Sequence, residues 1–402
     1  MLVELAREVG AGAVYFTRGY EPFMPPLEAE LRVALAAAGA DCRRFGGHLF
    51  MEPEAVRNKS GEPFKVFTPF HKACQTEEPP SRPLAAPPHL RAPEQWPRSE
   101  SLHSWGLEPT SPDWAVSMRE FWKPGEAGAA ARLHGFIHHA LADYSADRNF
   151  PGLDGTSRLS PHLAFGEISP RQAWHALSHA AEADSSRQNG ANAYVRELYW
   201  REFSSHLLFH RPDLPTEPFR REFTALPWRQ DAAALTAWQK VRTGYPIVDA
   251  GIRQLWAIGW MHNRVRMVAA SFLTKHLLIP WQDGEAWFWG TLVDADLANN
   301  AASWQWVAGS GADAAPYFRV FNPILQGRKF DADASYVRRW VPELAQLPPE
   351  HIHAPWDAPA HVLRHAGLVL GDTYPLPIIA HEDGRRQALA AYDAVKLAAG
   401  GR

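Results

Sequence analysis

The apolar positions of the chain change their rhythm near residue 119. Ahead of that point the pattern is mixed. Residues 2–9 repeat at helical spacing with Glu4, Arg7 and Glu8 among the apolar positions, and Ala13-Val-Tyr-Phe-Thr17 is a short apolar run just after Gly10 and Gly12. Pro26–Ala38 is predicted to be a helix, with prolines at its start and Gly39 just past its end, the asymmetry expected when only the first turn can spare an N–H. Cys42–Phe45 reads as a second strand. This β-α-β order predicts a parallel α/β sheet, yet one helix cannot cover both faces of such a sheet. Residues 1–75 are therefore expected to form an incomplete, Rossmann-like α/β unit.

Between Glu77 and Asp113 the periodicity fades and nine prolines appear, including Pro79-Pro80 and Pro87-Pro88. Residues 76–119 read as a connection packed on the surface. From residue 120 to 402 the pattern is helical nearly throughout. Ser160-Pro161 and Ser169-Pro170 mark helix starts, where serine can cap and proline fits the first turn. Further helices are predicted at Ala191–Phe209, Ala232–Thr243, Ile247–Ile258, Met261–Leu277 and Asp383–Lys396. The fold class expected is an α/β N-terminal remnant followed by a large all-α domain.

Composition narrows the functional classes. The 402 residues are 46% hydrophobic and 21% charged, which excludes a disordered or collagen-like chain. Lys and Arg number 41 against 44 Asp and Glu, a net charge of −3 that gives no whole-molecule attraction to nucleic acid or an anionic membrane. Any nucleic-acid site must be a local basic groove. Two cysteines, Cys42 and Cys74, are too few for a disulfide framework and fit a reducing cytoplasm. The charged N-terminal segment reads as an amphipathic helix rather than a signal peptide, and no run of 18 apolar residues predicts a membrane span. The 19 histidines are scattered singly or in local pairs, so no metal site is expected. Seventeen tryptophans are an unusual number, and core packing is the plain explanation for most of them.

Walker, dinucleotide-binding, zinc-protease and serine-hydrolase motifs are missing. Three other segments carry chemistry. Gly155-Thr-Ser-Arg-Leu-Ser-Pro161 places three hydroxyls and several amide N–H groups beside Arg158 at a helix start, an arrangement that suits a pyrophosphate and equally fits a plain N-cap. On a helix through Gly259–Met267, Asn263 and Met267 share one face and His262 and Arg266 the next, while Val265, Val268 and Phe272 point elsewhere. That polar face could line a pocket or meet solvent. Asp294–Trp306 gathers two carboxylates, two asparagines and two tryptophans among alanines, and Ser310–Pro323 continues the theme. If Asp294 is buried it needs a cation, for which Arg266 is suited. Residues 253–329 carry seven Lys and Arg against five Asp and Glu, a mildly basic stretch in an acidic chain.

These residues resemble the photolyase/cryptochrome family, most closely the class I cyclobutane pyrimidine dimer photolyases. The stretches that carry the resemblance are Thr156–Ser160, Glu197–Phe203, Thr243–Asp249, Trp260–Arg264, Asp294-Ala-Asp296 and Trp304-Gln-Trp306, in the family's order. The likeness covers most of residues 120–396 and continues upstream through Lys65–Phe70 and Tyr20-Glu21. It implies that residues 1–75 are part of an antenna-type domain whose first half, roughly ninety residues on the usual domain scale, would precede Met1. Only Glu21 then matches an antenna contact, so a folate or deazaflavin antenna is not part of the expectation.

The resemblance further implies FAD in the helical domain, active in its reduced form. Tyr144, Thr156, Ser157, Arg158, Leu159, Ser160 and Tyr194 would meet its diphosphate side. Arg266, Asp294, Ala295, Asp296 and Asn300 would lie near its sugar and rings, with Asn300 beside flavin N5. Trp304, Trp281 and Trp228 match the inner, middle and outer members of the family's electron-transfer chain, a choice that no helical period would have made. The implied substrate is DNA containing cyclobutane pyrimidine dimers, with the dimer flipped out of the duplex. Glu197 would bond the dimer's edge, Trp200 and Trp306 would stack on it, and Asn263 and Met267 would complete the pocket. Arg148, Arg264, Arg319, Gln326 and Lys329 would hold the flanking strand. Relatives that repair (6-4) lesions carry histidines where Asn263 and Met267 stand, which favours cyclobutane dimer repair here. A monomer is expected. The alternatives are a cryptochrome-like blue-light sensor and a shortened chain without repair activity.

Overall fold

A computed structural model describes residues 1–90, 92–314 and 318–400. Helix α1 (Leu2–Glu8), strand β1 (Ala13–Thr17), helix α2 (Met24–Ala37) and strand β2 (Asp41–Phe45) follow one another as predicted. The two strands pair in parallel, Ala13 opposite Asp41 through Thr17 opposite Phe45. Leu35 is fully buried beneath them, whereas Tyr15 and Phe45 are more than half exposed on the other face. Helix α2, joined by Ala6 and Val3 of α1, covers one face of this two-stranded sheet and leaves the other open among the described residues.

The chain then crosses onto the helical part. Helix α3 (Phe67–Cys74), which Pro69 hides from a periodicity reading, buries Phe67 and Phe70 against the long helices. The proline-rich stretch carries only a short 3-10 turn at Leu102–Trp105. Helix α4 (Val116–Phe121) spans the boundary placed at 119 and 120.

Next come α5 (Glu126–His139), α6 (Tyr144–Asp147), α7 (Ser160–Ala164), α8 (Pro170–Ala183) and α9 (Gln188–His210). Ser169 caps α8 in a full capping box with Gln172. Ser160 does not cap: it is the first helical residue of α7, Leu159 stands at the N-cap, and no side chain bonds there. The expected serine cap at Ser160 is thus corrected, and its hydroxyl accepts the Trp260 indole N–H at 3.2 Å instead.

Helices α10 (Ala232–Gln239), α11 (Pro246–Ile258) and α12 (Asn263–Ser271) follow. The first ends four residues earlier than predicted, because Val241 adopts a positive φ of 62°. The single helix predicted over Met261–Leu277 starts two residues late, with His262 as its cap, and gives way to a π-helical turn at Phe272–His276. Helices α13 (Trp281–Thr291), α14 (Leu297–Ala308) and α15 (Pro323–Phe330) complete the central body. Helices α16 (Ser335–Trp340), α17 (Pro349–Ile352), α18 (Ala360–His365) and α19 (His381–Gly400) close the chain.

Two hydrophobic clusters dominate. One gathers Trp238, Val248, Ile252, Phe272, Trp281 and Trp304; the other gathers Phe67, Leu133, Leu177, Leu198 and Phe203. The Thr243–Asp249 motif is structural. Buried Asp249 accepts from the Thr243 hydroxyl, the Thr243 and Gly244 amides and the Tyr374 hydroxyl at 2.7–3.1 Å. Both cysteines are free thiols, and among the described residues no helix is long and apolar enough to cross a membrane.

Candidate functional site

A cavity of about 350 Å³ opens at the seam between the two clusters, within the size range of cofactor pockets. Three helices give it a face each, at the spacing that puts residues on one side of a helix. Helix α9 presents Tyr194, Glu197, Leu198 and Arg201; α12 presents Asn263, Arg266, Met267 and Ala270; α14 presents Asn299, Asn300, Ser303, Trp304 and Val307. The 156–160 segment closes one end, and Phe288 of α13 with Leu292 just past that helix lines another part.

All twelve residues expected at the cofactor line this one cavity: Tyr144, Thr156 to Ser160, Tyr194, Arg266, Asp294, Ala295, Asp296 and Asn300. The Ser157 and Tyr194 hydroxyls lie 2.8 Å apart, and Ser157 Oγ also accepts the Leu159 amide at 3.2 Å. Burial pushes the Tyr194 phenol up to about 12, so it stays neutral. The Arg266–Asp294 pairing holds: Nη2 meets both Asp294 oxygens at 2.7 and 3.0 Å, while Nε donates to the Met261 carbonyl at 2.7 Å. Asp296 caps α14 through the Asn299 amide at 2.8 Å and thereby sets the rotation of the helix that carries Asn300. Asn300 Nδ2 donates to the Glu285 carbonyl at 2.9 Å, which fixes the plane of its amide.

The mouth is basic. Arg148 Nη1 donates to Glu197 Oε1 at 2.6 Å. Asn263 and Met267 line the cavity as the shared-face argument requires, while Val265, Val268 and Phe272 are buried in the core. His262 is 3% exposed and caps α12 by accepting the Arg264 amide; burial and four nearby guanidiniums push it down to about 3, so it stays neutral. Burial, then the charges of Arg148 and Arg319, hold Arg264 below the usual guanidinium value. Arg264 and Lys329 lie 4.4 and 5.2 Å from the Phe330 ring, and Arg264 also bonds Asn149. Arg319 is exposed and near enough to Arg264 to act on its charge, and Gln326 has a buried amide oxygen with no hydrogen bond among the described residues.

Several expected residues lie outside the cavity lining. Trp200 stacks flat on Phe67 at 3.6 Å, and Trp306 donates its indole N–H to the Asp313 carbonyl at 3.1 Å. Asp313 itself was not singled out by sequence, yet its carboxylate also accepts the Phe67 amide at 3.2 Å and so ties the two tryptophans together. Part of the Ser310–Pro323 segment, residues 315–317, lies outside the described residues. Of the three chain tryptophans, Trp304 lines the cavity, Trp281 is 1% exposed in the same core cluster, and Trp228 packs on that cluster from its rim. The Trp304 ring meets Phe288 at 4.9 Å and Trp238 at 6.3 Å. Trp260 is a cavity residue whose role the sequence left open, since it lies under both Arg158 and Arg266 at 5.5 and 5.9 Å.

The donor set fits FAD. Hydroxyls and a guanidinium at one end suit a diphosphate, a satisfied Arg266–Asp294 pair offers a fixed polar wall, and Phe288, Leu292, Trp304 and Val307 give an apolar wall for flat rings.

Comparison with known proteins agrees. Residues 194–394 match the family model described as the FAD binding domain of DNA photolyase, and residues 1–89 match that of DNA photolyase. A curated deoxyribodipyrimidine photo-lyase from Agrobacterium fabrum is 52% identical over 98% of this chain and 82% of its own length. The solved structure of a bacterial class III photolyase from Agrobacterium tumefaciens superimposes with a TM-score of 0.94 at 51% identity, over 98% of this chain and 82% of that one. Cryptochrome-1 of Arabidopsis thaliana is 35% identical over 96% of this chain and 57% of its own length. The family expectation holds, but the class I assignment is not carried by this structural relative, whose class is III.

Proposed function

The chain belongs to the DNA photolyase family, and from that premise we propose that it repairs cyclobutane pyrimidine dimers in DNA with light. The observation that supports this best is the one cavity that gathers the FAD-type donor set and, at its mouth, Glu197, Asn263 and Met267 under a basic rim. Reduced FAD, when bound, supplies the electron that the lesion takes up and returns once both bonds joining the pyrimidines have broken, so no reductant is consumed.

The chain's own residues bind, orient and exclude water. Tyr144, Tyr194 and the hydroxyls of 156–160 would hold the diphosphate; Arg266, fixed by Asp294 and the Met261 carbonyl, would hold the polar edge of the cofactor. Asn300 is held through the Glu285 carbonyl and would present an uncharged amide to the flavin, able to donate or accept as the charge there changes. Glu197 would receive the flipped base edge once Arg148 turns to a phosphate, and Trp200 and Trp306, braced through Asp313, would stack on it. Asn263 and Met267 supply no proton to the lesion, which suits ring splitting rather than (6-4) repair. Trp304, Trp281 and Trp228 would carry electrons inward to restore the reduced cofactor. The protein would act as a monomer in the cytoplasm.

The test is illumination of the purified, flavin-loaded protein with an oligothymidine that carries cyclobutane dimers, following base absorbance against a dark control. Light-dependent recovery is expected, together with loss of most of the rate in Glu197→Ala. A flavin-loaded protein that leaves the dimers intact would transfer the weight to the blue-light sensor reading.

A further inference from the structure

A second cavity, also of about 350 Å³, adjoins the first and shares only Thr156, Ser157 and Arg158 with it. Lys123, Arg132 and Arg158 line it, with Asp154 as the single carboxylate. The two guanidiniums are poorly compensated. Arg158 Nη2 meets Asp154 at 3.0 Å, but that carboxylate is 81% exposed while the Arg158 side chain is 17% exposed, so solvent screens the pair from one side. Arg158 Nε is buried with no partner. Arg132 lies over the Trp122 and Phe121 rings at 4.6 and 5.5 Å, and among the described residues the one hydrogen bond it donates goes to the Phe121 carbonyl at 3.2 Å. Burial, and after it the charge of Arg158, holds Arg132 below the usual guanidinium value; burial does the same to Arg158. Two desolvated cations so close together are costly unless an anion joins them.

The neighbouring helix leaves room for that anion. Gly135 of α5 lines the cavity, and a Cβ built on it would meet nothing within 4 Å. Planar guanidiniums grip phosphate oxygens in pairs, and the Thr156 and Ser157 hydroxyls line the same cavity.

We propose that this second cavity binds a small phosphate-type polyanion of about diphosphate size, held by Arg132 and Arg158 with Lys123 alongside. It is distinct from the space assigned above to the FAD diphosphate, because only the 156–158 segment borders both. An anion there would brace that segment from its other cavity.

The test is calorimetric titration of inorganic pyrophosphate into the flavin-loaded full chain at physiological salt, with Arg132→Gln, Lys123→Gln and Gly135→Leu as variants. Gly135→Leu fills the cavity without removing a charge, and a helical glycine is a safe place for leucine. One saturable site is expected, weakened at least about tenfold in Arg132→Gln, since a charge-assisted hydrogen bond is lost, and abolished in Gly135→Leu while flavin stays bound in both. The proposal is overturned by the absence of saturable binding, by affinity that Arg132→Gln and Gly135→Leu both leave unchanged, or by binding that expels the flavin.

Discussion

Asp294 has a side chain only 3% exposed, and the Arg266 guanidinium is what makes its charge tolerable there. Removing the carboxylate in Asp294→Ala leaves Arg266 without its anion and should cost about 3 kcal/mol of stability, along with most of the bound flavin; urea denaturation and the flavin absorbance of the purified variant check both. Glu202 poses the opposite case. It is buried at the contact between α9 and the 48–51 segment, where Oε2 accepts the Phe50 amide at 2.8 Å and Oε1 has no hydrogen bond, with Arg201 Nη1 3.7 Å away. Desolvation raises this carboxyl from 4.5 to about 8. Between those values the folded chain keeps a proton that the unfolded chain has released, so this group's contribution is full below pH 4.5 and is lost as pH rises through about 8. Thermal melts should therefore fall from pH 5 to 8 in the native protein and fall less in Glu202→Gln, which keeps the shape of the protonated acid. Sequence reasoning could not single out Glu202, because nothing local marks a glutamate that a loop 150 residues upstream will bury.

At the scale of elements, the cavity depends on helices standing close together. Gly284 of α13 faces the Trp304 ring of α14, and a Cβ there would lie 2.2 Å from the ring and 2.7 Å from Leu273. Gly284→Ala should therefore cost about 1–3 kcal/mol by overpacking, read from the shift of the urea midpoint, and should disturb the Trp304 wall of the cavity. The period of apolar residues made α9, α11, α12 and the parallel β-α-β unit legible, and the shared face of Asn263 and Met267 followed from helix geometry alone. Two breaks in the pattern were not legible. The π-helical turn at Phe272–His276 follows from packing that buries Lys275 and His276, and the release of Ser160 from capping follows from Trp260, a hundred residues away, which takes its hydroxyl.

At the scale of the whole molecule, net charge and local charge disagree. The chain carries −3 overall, yet Arg148 and Arg319 lie close enough to Arg264 to depress its proton affinity. Binding to dimer-containing duplex should accordingly weaken steeply with salt, despite the acidic total. Arg264→Gln should lower the slope of log affinity against log salt by about one. Filter binding across a salt series measures that slope, and an unchanged slope would place Arg264 away from the phosphates. The N-terminal unit adds a different feature: β1 and β2 each present an open edge, with Tyr15 and Phe45 exposed beside them.

The sequence by itself determined the helical period, the α/β start, the absence of a cysteine framework and, through family motifs, the twelve cofactor-side residues that line the main cavity. Those properties are encoded locally, in the spacing of apolar residues and in short runs of fixed residue types. Only the tertiary structure decided that Glu202 meets the Phe50 amide, that Asp313 ties Trp306 to the Phe67 partner of Trp200, and that Arg132 and Arg158 line one second cavity. Each of those contacts joins elements far apart in the chain. Which faces meet is fixed by the packing of whole helices, and no short stretch of sequence contains it.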